Sequence, residues 1–155
     1  MTPVVVPVRV IAATLQALRA AGRIRKECVV LWLGTRGDGA VSVVEAHVPK
    51  QTAASDYFRI PRVGMTELFE VLRSRGLMVA AQVHTHPRKA FHSEADDRWA
   101  LVRHEGALSL VLPYFARRAT AETFLDAAAV FRLDAGDTWV EVEPVDVPAH
   151  VRLAP

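Results

Sequence analysis

The spacing of apolar positions changes several times along this chain, and each change marks an expected element. Val4–Val6 is a short β-branched run bounded by Pro3 and Pro7, as expected of an edge strand. From Val8 the period changes: Val8, Ile11, Leu15 and Leu18 share one helical face, and Gly22 is the stop. After a basic connector (Arg23–Lys26), Glu27–Gly34 (ECVVLWLG) reads as a buried strand. Gly37-Asp38-Gly39 is a hairpin turn signal, and Ala40–Val48 is the returning strand. Pro49–Gly64 has mixed polarity and two prolines and reads as a loop. Met65, Leu68, Phe69 and Leu72 then follow the spacing of an amphipathic helix that Gly76 ends. Leu77–His84 is a further strand, and Ser93 opens a helix whose apolar stripe is Ala95, Trp99 and Val102. Ala107–Tyr114 is a strand, Arg117–Thr123 a polar connection, and Ala127–Leu133 with Thr138–Val142 a hairpin. The tail from Pro144 contains prolines and reads as loosely held. The order β-α-β-β-α-β-α-β-β-β predicts an α/β (α+β) fold, a mixed sheet with flanking helices.

Composition narrows this without redirecting it. A chain of 155 residues with half of them apolar is expected to form one globular domain, residues 1–155, with its core over about 4–143 and a tail at 144–155. A net charge of +2, with no basic run, gives little reason to expect nucleic acid. The one cysteine, Cys28, excludes an intrachain disulfide and a multi-cysteine metal site. With no signal-peptide pattern and no membrane-length apolar run, a cytoplasmic location is expected.

The chemistry concentrates in Gln82–Asp97, QVHTHPRKAFHSEADD. His84 and His86 are one residue apart at a strand end, so they point to the same side, because strand side chains alternate faces. An aspartate on the first turn of the next helix can fold back towards them. Two imidazoles and a carboxylate suit zinc, with a fourth position open for water. The serine and aspartate also have an ordinary explanation. Ser93-Glu94-Ala95-Asp96 before an apolar-periodic segment is a helix capping box. The two readings are compatible, since one helical turn can hold both a cap and a ligand. Thr85 faces away from both histidines and reads as structural, and Pro87 stops the strand. Cys28 reads as a small core hydrophobe. Trp32 and Trp99 read as core, Trp139 as core or interface, His92 as an exposed loop residue, and Arg117-Arg118 as a solvated connector.

H-T-H-P, a short loop and S-x-x-D together resemble the signature of the JAMM (JAB1/MPN/Mov34) zinc metalloprotease family, and the compact length resembles its bacterial stand-alone members. The resemblance implies that His84, His86 and Asp96 bind one zinc ion, and that Ser93 stabilises an oxyanion. It also requires an upstream glutamate near the start of a hydrophobic strand. Glu27 occupies that place, ahead of its rival Glu45, and Gly34 matches the glycine ending the family's strand. The segment His47–Tyr57 (HVPKQTAASDY) is similar to the ubiquitin-chain-cleaving branch. Six residues separate His86 from Ser93 where the family commonly has seven. The third ligand is therefore Asp96, which keeps the S-x-x-D spacing, or Asp97. Val30 stands where the family often has glycine.

The implied fold is the three-layer JAB1/MPN, cytidine-deaminase-like architecture. The implied activity is isopeptidase cleavage after the C-terminal glycine of a ubiquitin-like protein, with Glu27 as general base. E1- and E2-like proteins are the implied partners, with no nucleic acid and no membrane. Trimming of a sulfur-carrier protein and a non-catalytic scaffold are the alternatives.

Overall fold

The structure, a computed structural model, describes residues 2–91, 93, 96 and 100–155. The expectations for His92, Ala95, Asp97 and Trp99 lie outside them.

Strand β1 (Val4–Pro7) runs directly into helix α1 (Val8–Arg23). Then come β2 (Val29–Arg36), β3 (Val41–His47), the two-residue strands β4 (Thr52–Ala53) and β5 (Phe58–Arg59), and α2 (Arg62–Arg75). The chain continues through β6 (Met78–Thr85), β7 (Leu108–Leu112), α3 (Phe124–Ala127), β8 (Ala129–Leu133), β9 (Trp139–Glu141), α4 (Val147–His150) and β10 (Val151–Ala154). Among the described residues eight strands form one sheet in the order β10-β1-β3-β2-β6-β7-β8-β9. The β1–β10, β1–β3 and β6–β7 pairs are parallel, and the others antiparallel. The mixed sheet with flanking helices agrees with the pattern.

The alternation of β2 divides the core into two layers. Cys28, Val30 and Trp32 face the cluster that holds Ile11, Leu15 and Leu18 of α1. Val29, Leu31 and Leu33 face a second cluster with Leu68, Val71 and Leu72 of α2. Trp32 is fully buried, and its one polar atom is satisfied: Nε1–H donates to Thr14 Oγ1 at 2.9 Å, which ties α1 to the sheet. Gly34 sits at an irregularity in the β2–β3 register, where an added Cβ would come within 2.3 Å of the Ser42 carbonyl oxygen. That close approach requires glycine. Among the described residues no helix is long and apolar enough to cross a membrane.

Several expectations are corrected. β1 is not an edge strand but lies between β3 and β10. The tail is not loose: it forms α4 and β10, and Val4–Pro7 pairs with Val151–Ala154 along the whole of β1. A four-residue strand behind two prolines is too short to show a period. The expected loop Pro49–Gly64 holds β4, β5 and the start of α2. Residues 124–127 are helical, so the strand expected from Ala127 begins at Ala129. The strand expected to reach Tyr114 ends at Leu112. Val8 and Phe69 are 40% and 59% exposed, so neither belongs to the buried face its spacing predicted. Trp139 packs beside the small cluster of Val102, Ala107 and Leu133.

Val151 is fully buried in the main core. Val151→Ala is expected to cost about 2 kcal/mol of unfolding free energy in urea titrations. An unchanged midpoint would mean that the tail is detached in solution.

Candidate metal centre

The site grows from the pairing of β2 with β6. Val29 lies opposite His84 and Val30 opposite Val83. The pairing continues past the end of β2: Thr85 N–H donates to the Cys28 carbonyl, and Cys28 N–H donates to Thr85 Oγ1, each at 3.2 Å. In this register Glu27 falls opposite His86. Directly opposed residues of an antiparallel pair share a face. Glu27, His84 and His86 therefore lie on the α2 side of the sheet, while Cys28 and Thr85 lie on the α1 side, as the sequence pattern predicted.

His84 and His86 are both buried, with ring centroids 5.3 Å apart. Phe58 of β5 packs against His84 at 5.3 Å, and Phe91 packs edge-on against His86 at 4.4 Å. Asp96 is helical and buried. Its Oδ2 lies 3.1 Å from His84 Nε2 and 3.0 Å from His86 Nε2, and it accepts Ser93 N–H at 2.8 Å. Asp96 N–H donates to Ser93 Oγ at 3.0 Å. The expected capping box is thus present, and the same carboxylate reaches both histidines. The cap uses Ser93 Oγ as an acceptor and leaves its hydroxyl hydrogen available to donate. Leu101 N–H donates to Gln82 Oε1 of β6 at 3.1 Å, tying the far side of the motif back to the sheet.

Two features around the site carry no sequence signal. Gln51 imitates a strand where β3 leaves β2: its Oε1 accepts Val29 N–H at 2.8 Å, and its Nε2 donates to the Val29 carbonyl at 3.0 Å. Beside it, Glu27 N–H donates to the Ala54 carbonyl at 2.7 Å. After β7, Tyr114, Phe115 and Ala116 form a left-handed turn with φ of 55°, 52° and 60°. Side chains disfavour this conformation by about 1–2 kcal/mol per residue. The turn holds the histidine loop: Phe115 N–H donates to the His86 carbonyl at 2.9 Å, and Tyr114 N–H to the Arg88 carbonyl at 3.0 Å. Gly22 of α1 makes room for it, since an added Cβ would lie 2.6 Å from Phe115 Cβ.

Glu45, the rival base, is placed elsewhere. It lies opposite Leu33, four residues further along β2 than the partner of His84, and forms an ion pair with Arg75. Four residues of strand are about 13 Å.

The charges at the site oppose one another in the metal-free chain. Burial pushes the Glu27 carboxyl up to about 8, and the nearby charges of Asp96 and Asp56 add to the rise. Burial would also raise the Asp96 carboxyl. Hydrogen bonds from His84 and His86, the His84 charge and the Ser93 N–H outweigh it and hold Asp96 well below the usual carboxylate range. Glu27 is buried at 2% exposure, and among the described residues its Oε2 has no hydrogen-bond partner. Such a group is costly unless something absent from the bare chain compensates it. Two imidazole nitrogens and a carboxylate oxygen within 4.8 Å of one another fit a divalent metal ion. A cation there would offset the repulsion between Glu27 and Asp96.

The chain is 38% identical over 136 residues to the protein named "Probable metalloprotease y4jG" of Sinorhizobium fredii, covering 84% of this chain and 82% of that one. The chain belongs to this metalloprotease family. No protein-family model matches the metalloprotease. Its fold is similar to the solution structure of protein DSY2949 from Desulfitobacterium hafniense, with a TM-score of 0.71 over 97% of this chain and 92% of that one. At 15% identity that likeness concerns the fold alone.

A carboxyl whose folded pKa is raised is carried without cost below its unfolded value and weakens the fold as pH rises towards the folded one. In the metal-free metalloprotease, Glu27→Gln is expected to match wild-type stability near pH 4.5. It should become more stable by a few kcal/mol as pH rises through 8. Denaturant unfolding in chelator across that range measures it. A constant difference would mean that Glu27 does not titrate as a buried acid.

Proposed function

We propose that this metalloprotease is a zinc-dependent peptidase of JAMM type that cleaves after the C-terminal glycine of a ubiquitin-like protein. The observation that carries the reading is the placement of Glu27: a buried carboxylate oxygen, unpartnered among the described residues, on the same sheet face as His84 and His86. His84, His86 and Asp96 would hold the ion. Zinc bound there supplies a Lewis acid that polarises a carbonyl and lowers the pKa of water towards neutrality.

The remaining work falls to the chain. Glu27 Oε2 accepts a proton from the attacking water and returns it to the leaving amine. The Ser93 hydroxyl donates to the developing oxyanion, a contact worth about 3 kcal/mol in comparable sites. Phe58 and Phe91 shield the imidazoles from bulk water.

An open cleft reaches Glu27 from the α1 side of the sheet, and His84, His86, Ser93 and Asp96 are not among its lining residues. It has a volume of about 560 Å³ and is walled by the small side chains Ala17, Ala20 and Ala21 on one side and the segment around Gln51 and Thr52 on the other. A glycine-ended tail laid along a sheet edge would use main-chain hydrogen bonds more than side-chain pockets. The complete donor set speaks against a non-catalytic scaffold.

Purified protein is expected to carry one zinc per chain and to release the extension from ubiquitin-like proteins fused to a C-terminal peptide. Glu27→Gln should keep zinc and lose about 10²–10⁴-fold in cleavage rate. His84→Ala should lose the metal. Normal cleavage by Glu27→Gln would reject Glu27 as the base. Cleavage confined to sulfur-carrier fusions would move the substrate to that class.

A further inference from the structure

A second cleft, of about 640 Å³, opens at the C-terminal end of α1, lined by Arg19, Gly22, Arg23, Arg25, Phe115 and Arg117. Among the described residues no carboxylate lines it. Arg19 is committed to the fold, donating to the carbonyls of Ala116 and Ala119. Arg23, Arg25 and Arg117 are exposed, and among the described residues none of them forms an ion pair. Exposed Lys26 and Arg118 flank them in the chain. Arg117 Nε–H donates to the Tyr114 carbonyl at 3.3 Å, so its two terminal nitrogens, with the guanidinium groups of Arg23 and Arg25, form the receptor for carboxylate or phosphate oxygens, which planar forked donors bind in pairs.

The neighbours of these arginines narrow the choice of ligand. Ile24, between Arg23 and Arg25, is 65% exposed, an apolar contact at the rim of a basic cleft. A phosphate ion or a nucleic-acid backbone gains nothing from it, whereas a protein surface does. The ring at the cleft floor, Phe115, is buried at 3% exposure and offers no open face for stacking a base. The charge is local, since the whole chain carries only +2. The cleft also adjoins the metal centre, because Phe115 N–H bonds the carbonyl of His86.

We propose that the arginine cleft is a docking site for an acidic face of the protein substrate, with Ile24 as its apolar contact. The proposal rests on the peptidase reading for the word substrate. It orients a folded partner and its lining holds none of Glu27, His84, His86 and Asp96, so it acts on recognition and not on the chemical step.

The test reads binding and needs no activity. The full chain is titrated with a fluorescein-labelled peptide, Glu-Glu-Leu-Glu-Glu-Leu-Glu-Glu, and anisotropy is followed at low and high salt. Wild-type protein should bind it, more weakly as salt rises. The double variant Arg23→Glu, Arg117→Glu should bind at least about tenfold more weakly. Arg25→Gly should lose affinity while folding at least as well, because Arg25 has a φ of 56° that glycine adopts without strain. Arg36→Glu, outside this cleft, should bind as wild type. The proposal is overturned by no binding, by equal losses in Arg36→Glu, or by tighter binding of an oligothymidine of equal charge. Intact peptide binding with no cleavage of any fusion would instead reject the peptidase reading and leave the acidic docking site standing.

Discussion

The site depends on one constraint, the antiparallel register of β2 on β6. Val29 opposite His84 sets Glu27 opposite His86, and with them a buried carboxyl and two buried imidazoles on one face. A slip of one residue would turn Glu27 to the face of Thr85 and Cys28. The register is protected from both sides. Hydrophobic alternation on β2 feeds two separate cores, so a slip would exchange them. The irregularity in the β2–β6 pairing lies between Trp32 and Leu33, which leaves Val29–Trp32 in register with the histidine end of β6.

Around that register, loops of unlike origin converge. The capping box anchors Asp96, the Gln51 amide closes the exposed end of β2, and a left-handed turn grips the backbone of His86 and Arg88. The turn is strained and three residues long, yet it is held by buried Phe115 against Gly22. Strain of this kind persists only where the surroundings fix it, and such positions cluster at functional sites. Two buried carboxylates and two buried imidazoles in the bare chain make the same point in electrostatic terms. The arrangement costs stability without a cation and gains it with one.

Much of this was legible in the sequence because it is periodic or local. The 2-residue alternation gave β2 and β6 their faces, and the S-x-x-D spacing gave the cap. Placing Glu27 needed more than periodicity, since Glu45 also lies on a strand before the histidines; its distance along β2 and its partner Arg75 separate the two. What could not be read was non-local or short. The tail strand shows its role only against β1, four residues cannot reveal a period, and the Gln51 amide acts as backbone, which no pattern encodes. Phe69 kept helical spacing yet faces solvent, because the core takes Leu68 and Leu72 at that level of α2.

We propose that His84, His86 and Asp96 together hold a zinc ion beside Glu27. Diffraction from zinc-grown crystals at the zinc absorption edge tests it most directly. A single anomalous peak is expected, with His84 Nε2, His86 Nε2 and an Asp96 oxygen at about 2.0–2.2 Å. Glu27 is expected to face the ion with no direct bond. A peak bound by other residues, or no peak at this site at saturating zinc, would contradict it.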